Sequence, residues 1–272
     1  MQTNQQNKQS KQNSHDKGLM TYGAHLEVLR RMLVRVLLVV GVIACIVFCF
    51  KDMVWQLLLA PSDWNFYTYR WIEAMMHRLG IDFHFDSFYV NLIATDLSSQ
   101  FMMHVTTAVY LGFLCASPFV VYELFRFISP ALYENERKYS LRVVGIIYVQ
   151  FILGVLMSYF VLFPISFRFL GTYSVSARVV SNITLDSYIS TFVSLTLVMG
   201  VVFQLPIIAF FLGKMGVVTS SVLAKYRKHA LIIIMLVAAV ITPPDLMTLV
   251  LVTVPLYLLY EISIKVVKYT GK

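Results

Sequence analysis

Charged residues are scarce in this 272-residue chain. They make up 13% of it, against roughly 25% in a typical soluble domain, whereas hydrophobic residues make up 58%. A soluble protein of this size covers its surface with charge, so the composition excludes an ordinary cytosolic enzyme. The mean hydropathy of +0.73 indicates instead a chain that crosses a membrane several times.

Cysteines and catalytic motifs are equally sparse. Three cysteines, Cys45, Cys49 and Cys115, lie in apolar runs and form neither a disulfide framework nor a paired metal spacing. The sequence contains no P-loop, no G-x-S-x-G and no H-E-x-x-H, and no two of its six histidines share a helical face. We therefore expect no catalytic residue, no metal site and no cofactor.

A polar tail precedes six apolar runs. Residues 1–20 are rich in Gln, Asn, Lys and Ser and are predicted to be disordered, without the apolar core of a signal peptide. The runs cover about 32–50, 101–128, 143–163, 187–213, 230–241 and 246–264. A bilayer core needs about 20 helical residues, so the short fifth run spans it only where the bilayer thins or flanking residues snorkel. The sequence predicts an all-α polytopic membrane protein with six transmembrane helices.

The distribution of positive charge predicts the orientation. Most of the 22 Lys and Arg residues fall at the two termini and in the second and fourth loops, which six spans place on one side. Because positive loops favour the cytoplasm, we predict that both termini are cytoplasmic. The basic residues are scattered between apolar runs rather than gathered in a stripe, so no nucleic-acid partner is expected.

The first outer loop is enlarged. Residues 61–97 are rich in aromatic and acidic residues. This composition favours a small folded cap, or an interfacial helix on the outer leaflet. Residues 21–272 are predicted to form one membrane domain, which includes this loop.

Two acids lie near the predicted cytoplasmic ends of helices. Glu123 stands three residues before Arg126, and the pattern allows either an ion pair on one helix or a carboxylate facing a cytoplasmic groove. Glu261 lies one turn from the end of the sixth helix. We interpret it as a snorkelling acid, or one paired with Lys265.

Neutral polar residues inside the runs need partners in lipid. Gln150 and Gln204 are each expected to face protein and to hydrogen-bond another helix, and Gln204 alternatively provides a docking point for a further transmembrane helix. Asp186 and Asp245 are placed to cap the N-termini of the fourth and sixth helices.

Prolines and small residues shape the second, fourth and sixth runs. One proline interrupts each of these runs and bends its helix, which favours a curved wall: Pro118, Pro206 and Pro255. Small residues recur every four positions in the second run and favour close helix packing: Ala108, Gly112 and Ala116.

The loop after the second run carries two acids on a basic face. A carboxylate binds a guanidinium through two parallel charge-assisted hydrogen bonds, so Glu134 and Glu136 are compatible with a receptor for an arginine-containing peptide. They are also compatible with a solvated pair that neutralises Arg137 and Lys138. Composition alone favours the solvated pair.

Six stretches, in order, carry a family resemblance: HLEVLRRML (25–33), SPFVVYELFRFISPALYENERK (117–138), GVLMSYFVLFP (154–164), GVVFQLP (200–206), TPPD (242–245) and PLYLLYE (255–261). On a six-span frame with cytoplasmic termini, they resemble TatC, the multispanning core of the twin-arginine protein translocase. The resemblance runs from about residue 21 to the end, apart from the enlarged first outer loop.

The resemblance implies a fold and a function. The six helices would form a concave, glove-like wall in the inner membrane, without enzymatic activity. Its cytoplasmic face would receive folded precursor proteins by signal peptides of the S-R-R-x-F-L-K type. Single-span TatA, and TatB where present, would assemble with it and with further copies of the chain, and the proton motive force would drive transport.

The resemblance also assigns site residues. The family's loop acid falls on Glu136, beside Glu134, its aromatic residue at the end of the second helix falls on Phe127, and its N-terminal basic residue falls on Arg30. Two prolines match as well, Pro61 and Pro118.

Three positions depart from the family pattern. The N-terminal signal-binding acid is replaced by Val28, and the nearest acid, Glu27, lies one residue earlier, about 100° around a helix. Glu123 stands where the family often has Gln, and we hypothesise that it supplies the missing carboxylate. Gln204 stands where the family often has Glu, which leaves a hydrogen bond to a partner helix but no titrating group.

Two other functions would require different residues within the spans. A small-solute secondary transporter would place ionisable residues or broken helices near the middle of the membrane, where we find only glutamines. An intramembrane enzyme would need a nucleophile and base, or a metal set, within the spans.

Overall fold

Helices form at every long apolar run of the sequence. The computed structural model describes residues 22–82, 84, 88, 90–128, 140–174, 176, 182–242 and 245–270. The predicted disordered tail, residues 1–20, lies outside this part of the chain.

The first part of the chain builds two long helices and a connecting unit between them. In order, its elements are α1 (Tyr22–Cys49), α2 (Lys51–Leu59), a 3-10 turn (Ala60–Ser62), α3 (Tyr67–Arg78), β1 (Leu92–Ile93) and α4 (Ser99–Ile128). The enlarged loop therefore contains one amphipathic helix, α3, and one short strand.

The second part is helical apart from one short strand. Its elements are α5 (Ser140–Met157), a π-helical turn (Ser158–Leu162), α6 (Phe163–Thr172), β2 (Ile183–Thr184), α7 (Leu185–Val202), α8 (Leu205–Lys214), α9 (Ser220–Lys225), α10 (Arg227–Ile241) and α11 (Leu246–Thr270).

Five helical segments of the described chain are long and apolar enough to cross a membrane: Leu26–Cys49, Ser99–Leu124, Val143–Thr172, Leu185–Lys214 and Leu246–Tyr269. The predicted short fifth span is α10, whose 15 residues reach about 22 Å. It starts at Arg227, three residues before the apolar run, because Arg, Lys and His continue a helix while their polar ends reach water. The predicted order of six transmembrane helices is thus retained, with α10 the shortest.

The first and second spans pack antiparallel along the predicted small-residue stripe. A Cβ added to Gly112 would lie 2.8 Å from the Cα of Ala44, so the two backbones touch there. Further along, the ring of Phe48 stacks on that of His104 at 4.1 Å between centroids. The stripe therefore serves the close packing that the sequence predicts.

Glycines also bring the third and fourth spans together. A Cβ at Gly154 in α5 would lie 2.5 Å from the carbonyl oxygen of Met199 in α7, and one at Gly200 would lie 2.6 Å from the ring of Phe151. Both glycines are buried. Only a residue without a side chain allows this approach.

Prolines mark the irregular points of the wall. Pro118 and Pro255 lie inside α4 and α11, and the fourth span breaks between α7 and α8, where Pro206 occupies the first turn of α8. The break next to Pro206 interrupts the fourth span as the sequence predicts, whereas Pro118 and Pro255 lie inside continuous helices, where a bend stays a prediction. The helices form a concave wall rather than a straight bundle.

Of the two predicted N-caps, one occurs and one does not. Asp245 Oδ1 accepts a hydrogen bond from the backbone N–H of Thr248 at 2.7 Å, as a cap of α11. At α7, however, the cap is Thr184, whose hydroxyl accepts from the N–H of Ser187. Asp186 lies in the first turn instead, so its predicted capping role was wrong. Its carboxylate accepts a hydrogen bond from the hydroxyl of Ser99, at 2.6 Å.

A parallel two-strand pair joins the two long loops of one end. Leu92 of β1 pairs with Ile183 of β2, and Ile93 pairs with Thr184. The Ser99–Asp186 hydrogen bond lies next to this pair, at the first turns of α4 and α7. These contacts fix the starting points of the second and fourth spans relative to each other.

Tyrosine hydroxyls complete the end of α2. The last carbonyl groups of a helix lack intrahelical donors. Here Tyr159 donates to the carbonyl of Leu57 and Tyr188 to that of Leu58, each at 2.7 Å. We call the group formed by these four residues and their neighbours Pro61, Tyr69 and Pro164 the aromatic corner.

Tyr69 is the central side chain of the aromatic corner. Its hydroxyl contacts the carbonyl oxygens of Pro164 at 2.8 Å and Pro61 at 3.2 Å. The guanidinium of Arg168 lies 5.3 Å from the Tyr69 ring centroid and 4.6 Å from that of Phe88. Burial raises the pKa of the Tyr69 phenol well above its usual value, although Arg168 opposes the shift. Pro61 itself is buried in the 3-10 turn.

Candidate functional site

A buried carboxylate joins the first and second spans at the end opposite the aromatic corner. The Glu123 side chain is 4% exposed, and its Oε1 lies 3.2 Å from Arg35 of α1 and 3.8 Å from Arg126 of α4. A carboxylate removed from water needs such compensation, because an unpaired buried charge is strongly destabilising. The ion pair with Arg126 on the same helix is therefore present, although the nearer partner, Arg35, is on another helix. The alternative, a carboxylate that faces a cytoplasmic groove, stays a prediction.

The two arginines on Glu123 are held differently. Arg35 Nε donates to the carbonyl of Arg31 at 3.3 Å, which fixes its side chain along α1. Arg126 has the longer contact with the carboxylate, and its side chain is 60% exposed, against 45% for Arg35. Arg126 is thus the less constrained of the two.

Glu27 lies further towards the start of α1. Its carboxylate pairs with Arg31, one turn along the same helix, and the two side chains are 62% and 73% exposed. Glu27 precedes Arg35 by two turns, or about 12 Å along the axis, which puts it level with the end of α4 in the antiparallel pair. It therefore presents an accessible carboxylate beside the last turn of that helix.

The same end of the molecule carries further predicted site residues. Arg30 is exposed on α1, and Phe127 is partly buried in the last turn of α4 and has interaction partners. Glu134 and Glu136 lie outside the described residues, so their assignment stays a prediction. We call the described residues Glu27, Arg30, Arg31, Arg35, Glu123 and Arg126 the arginine–glutamate cluster.

Sequence reasoning missed Arg35. The i,i+3 spacing of Glu123 and Arg126 is visible in the sequence, whereas the Arg35 contact depends on the register between α1 and α4. Once the contact of Gly112 with Ala44 is known, following the two antiparallel helices from it brings Arg35 level with Glu123. The sequence alone does not specify that contact.

Gln204 lies at the break between α7 and α8. Its Nε2 donates to the carbonyl of Gly200 at 3.3 Å, while its Oε1 is buried and accepts no hydrogen bond. The Oε1 of Gln150 in α5 is likewise buried without a partner. The Phe151–Gly200 contact places these two glutamines at similar depth on adjoining helices. Both keep an acceptor oxygen for which the described residues provide no donor.

Glu261 pairs across helices. Arg227, at the start of α10, approaches its carboxylate to 2.8 Å, and Tyr257 donates to it at 3.2 Å. The partner is therefore Arg227 and not Lys265, the partner that the sequence offered on the same helix. The reason is that α10 is short and antiparallel to α11, so its first residue lies beside the later turns of α11. This contact ties the two helices together.

An apolar cavity of about 770 Å³ opens between the first three spans and α2. Its lining includes Val47, Leu57, Phe66, Leu111 and Tyr159, and polar groups reach it only through a few side chains, Asp63 and Asn65 among them. A surface of this kind accommodates an apolar chain rather than a polar solute.

In the described part of the chain, no three His, Cys, Asp or Glu residues come close enough together to hold a metal ion. The three cysteines are free and exposed. What the arrangement offers chemically is paired recognition of charge by carboxylates and guanidinium groups.

Known proteins agree with this architecture. The family model described as "Sec-independent protein translocase protein (TatC)" matches residues 24–255. A protein of that name from Blattabacterium is 33% identical over 262 residues, which cover 95% of this chain and 98% of the relative. TatCy of Bacillus subtilis is 38% identical over 179 residues, covering 66% of this chain and 70% of the relative.

Solved structures agree as well. Two crystal structures of the twin arginine translocase receptor TatC, one of them in DDM, each give a TM-score of 0.71 at 30% identity. They cover 90% and 91% of this chain and 99% of the solved chains. Sequence and fold together favour a translocase component over a solute transporter. The chain is a membrane protein that belongs to the TatC family of Sec-independent protein translocase proteins.

Proposed function

We propose that this chain is the receptor and core of a twin-arginine translocase. It binds the signal peptides of folded precursor proteins by their paired arginines, at the cytoplasmic face of the inner membrane. The observation that carries this proposal is Glu123, whose carboxylate contacts two guanidinium groups at once, from Arg35 and Arg126. A surface that holds two arginines of its own has the chemistry to hold two arginines of a ligand.

The chemistry explains the preference for arginine. A guanidinium presents a planar fork that matches a carboxylate in two parallel hydrogen bonds, whereas the ammonium of lysine is a point charge. Glu27 is accessible to such a fork. Glu134 and Glu136, in the following loop of the sequence, supply further carboxylates, with Glu136 as the principal one. Arg30 and Phe127 border the same region.

The apolar part of a signal peptide follows the paired arginines. We assign it to the concave wall, where the apolar cavity lined by Val47, Leu111 and Tyr159 offers a matching surface. Burial of apolar surface then adds affinity that does not depend on the arginines.

Single-span partners occupy the opposite part of the wall in this proposal. Gln204 has a buried acceptor without a donor, and α10 exposes most of its apolar side chains, including Ile232, Leu236 and Val240. A polar side chain of TatA, or of TatB where present, would donate to Gln204. Further copies of the chain complete the assembly, both termini are cytoplasmic, and the proton motive force drives transport.

Site-specific crosslinking tests the receptor role. A photoreactive group at position 136, in membrane vesicles, should crosslink a signal peptide with two adjacent arginines. The same peptide with two lysines should crosslink much less. Glu136→Ala should reduce both crosslinking nearby and protein export, whereas Glu73→Gln, in α3 of the enlarged loop, serves as a matched control. Full export by Glu136→Ala would refute the site assignment.

A further inference from the structure

Glu123 is already occupied by the chain itself. Its carboxylate is nearly covered, and both guanidinium contacts converge on the same oxygen, Oε1. Because only 4% of the Glu123 side chain is exposed, a third guanidinium reaches the carboxylate when one of the two that cover it moves aside. Recognition at Glu123 is therefore an exchange rather than an addition.

The two resident contacts differ in how readily they are given up. Arg35 is closer to Oε1, and the hydrogen bond from its Nε to the carbonyl of Arg31 holds its side chain along the helix, so it is the more constrained of the two. Arg126 lies 3.8 Å away with a largely exposed side chain, and ion pairs of that kind contribute little. Displacing Arg126 therefore costs less than displacing Arg35.

We propose that Arg126 is a built-in competitor of the ligand: a peptide with two adjacent arginines displaces it from Glu123, while Arg35 stays in place. This inference rests on the proposed receptor function and adds a regulatory contact to it. While the site is empty, Arg126 neutralises the carboxylate and keeps it unavailable to isolated cations.

The exchange sharpens specificity. A lone guanidinium that replaces Arg126 forms the same interaction with Glu123 that Arg126 gives up, so the net binding free energy is close to zero. An adjacent second arginine that binds another carboxylate makes the exchange favourable. Glu27 is such a carboxylate, because its side chain is 62% exposed and its contact with Arg31 is through one oxygen, Oε1. A lysine peptide lacks the fork with which to replace Arg126 on equal terms.

Removing the competitor should strengthen binding. Arg126→Gln is expected to bind a fluorescent twin-arginine signal peptide about threefold more tightly than the unmodified protein, the size of effect that an exposed ion pair contributes. Titration of the purified full-length protein in detergent measures this. Lys228→Gln, an exposed residue away from the cluster, removes the same charge and should change affinity much less.

A second variant separates the exchange from long-range electrostatics. In a Glu123→Gln background, Arg126→Gln should no longer improve binding, because there is no carboxylate to release. Unchanged or weaker binding by Arg126→Gln, or an equal gain in the Glu123→Gln background, would overturn the inference. Failure of the unmodified protein to prefer the arginine peptide over its lysine counterpart would instead refute the proposed function itself. Thermal unfolding of each variant confirms that the folds compared are the same.

Discussion

The two ends of the molecule are held together by different kinds of contact. In the aromatic corner, tyrosine hydroxyls bind backbone carbonyls inside a buried cluster, with Tyr69 and Tyr188 almost fully covered. In the arginine–glutamate cluster, long charged side chains meet at one carboxylate and stay largely in contact with solvent. One end is fixed by burial, whereas the other is held by exchangeable ion pairs.

The difference places stability and recognition in separate regions. Buried aromatic packing contributes several times more free energy of folding than exposed ion pairs do. Variants of the aromatic corner should therefore lower the stability of the fold most, whereas variants of the most exposed side chains at the basic end, such as Arg126, should change binding with little effect on stability. Three variants compare buried aromatic contacts with an exposed ion pair, in order of decreasing effect on the free energy of unfolding.

Tyr188→Ala should have the largest effect. The ring packs against Phe163 and Phe167, each at 5.0 Å between centroids, and its hydroxyl binds the carbonyl of Leu58. Loss of a large buried ring of this kind costs roughly 3–5 kcal/mol. Thermal unfolding in detergent measures the loss, with Tyr269→Ala, whose side chain is exposed, as control. Equal midpoints for the two variants would contradict a rigid aromatic corner.

Tyr69→Phe should have an intermediate effect. It keeps the ring but removes the hydrogen bonds to the carbonyls of Pro61 and Pro164, which costs about 1–2 kcal/mol. Unfolding at neutral pH measures this cost. A midpoint indistinguishable from that of the unmodified protein would show that these carbonyls find other donors.

The same variant makes a prediction about pH. Burial raises the pKa of the Tyr69 phenol, so the folded state favours the protonated form. The phenol's contribution to the free energy of unfolding is complete below the pKa of the unfolded state, about 10. It is lost as pH rises from there towards the higher pKa of the folded state. The stability difference between the unmodified protein and Tyr69→Phe should therefore shrink above about pH 10. A difference that stays constant in that range would argue against burial as the cause.

Glu261→Gln should have the smallest effect. It breaks the ion pair with Arg227, whose side chain is 47% exposed, and such pairs contribute roughly 0–1 kcal/mol. A double-mutant cycle with Arg227→Gln, read out by unfolding at low and high salt, isolates the coupling. The coupling should weaken as salt rises. A coupling that exceeds about 1 kcal/mol and does not change with salt would show that this ion pair is as firmly held as the contacts of the aromatic corner.

The broad fold was predictable because its signal is local. A run of apolar residues indicates that a segment lies in lipid, so the order of the helices could be predicted, including the short α10. The Ala108–Gly112–Ala116 stripe likewise predicted close packing, which the Gly112–Ala44 contact realises. Prolines marked the irregular helices for the same reason.

Contacts between distant segments were harder to predict. Asp186 was assigned as a cap because it opens an apolar run, but Thr184 caps α7 and Ser99 takes the carboxylate. Glu261 was interpreted as a snorkelling acid or as a partner of Lys265 on its own helix, whereas the fold brings Arg227 to it. In each case several partners satisfy the local pattern, and only the packing of the helices selects one.

The junction between β1 and β2 has a mechanical consequence. The strand pair and the Ser99–Asp186 hydrogen bond hold the starts of α4 and α7 as one pivot. Glu123 lies 24 residues along α4, about 36 Å from that pivot, so a tilt of about 5° there displaces it by about 3 Å. The length of α4 therefore magnifies any rotation at this junction into a larger displacement at the arginine–glutamate cluster.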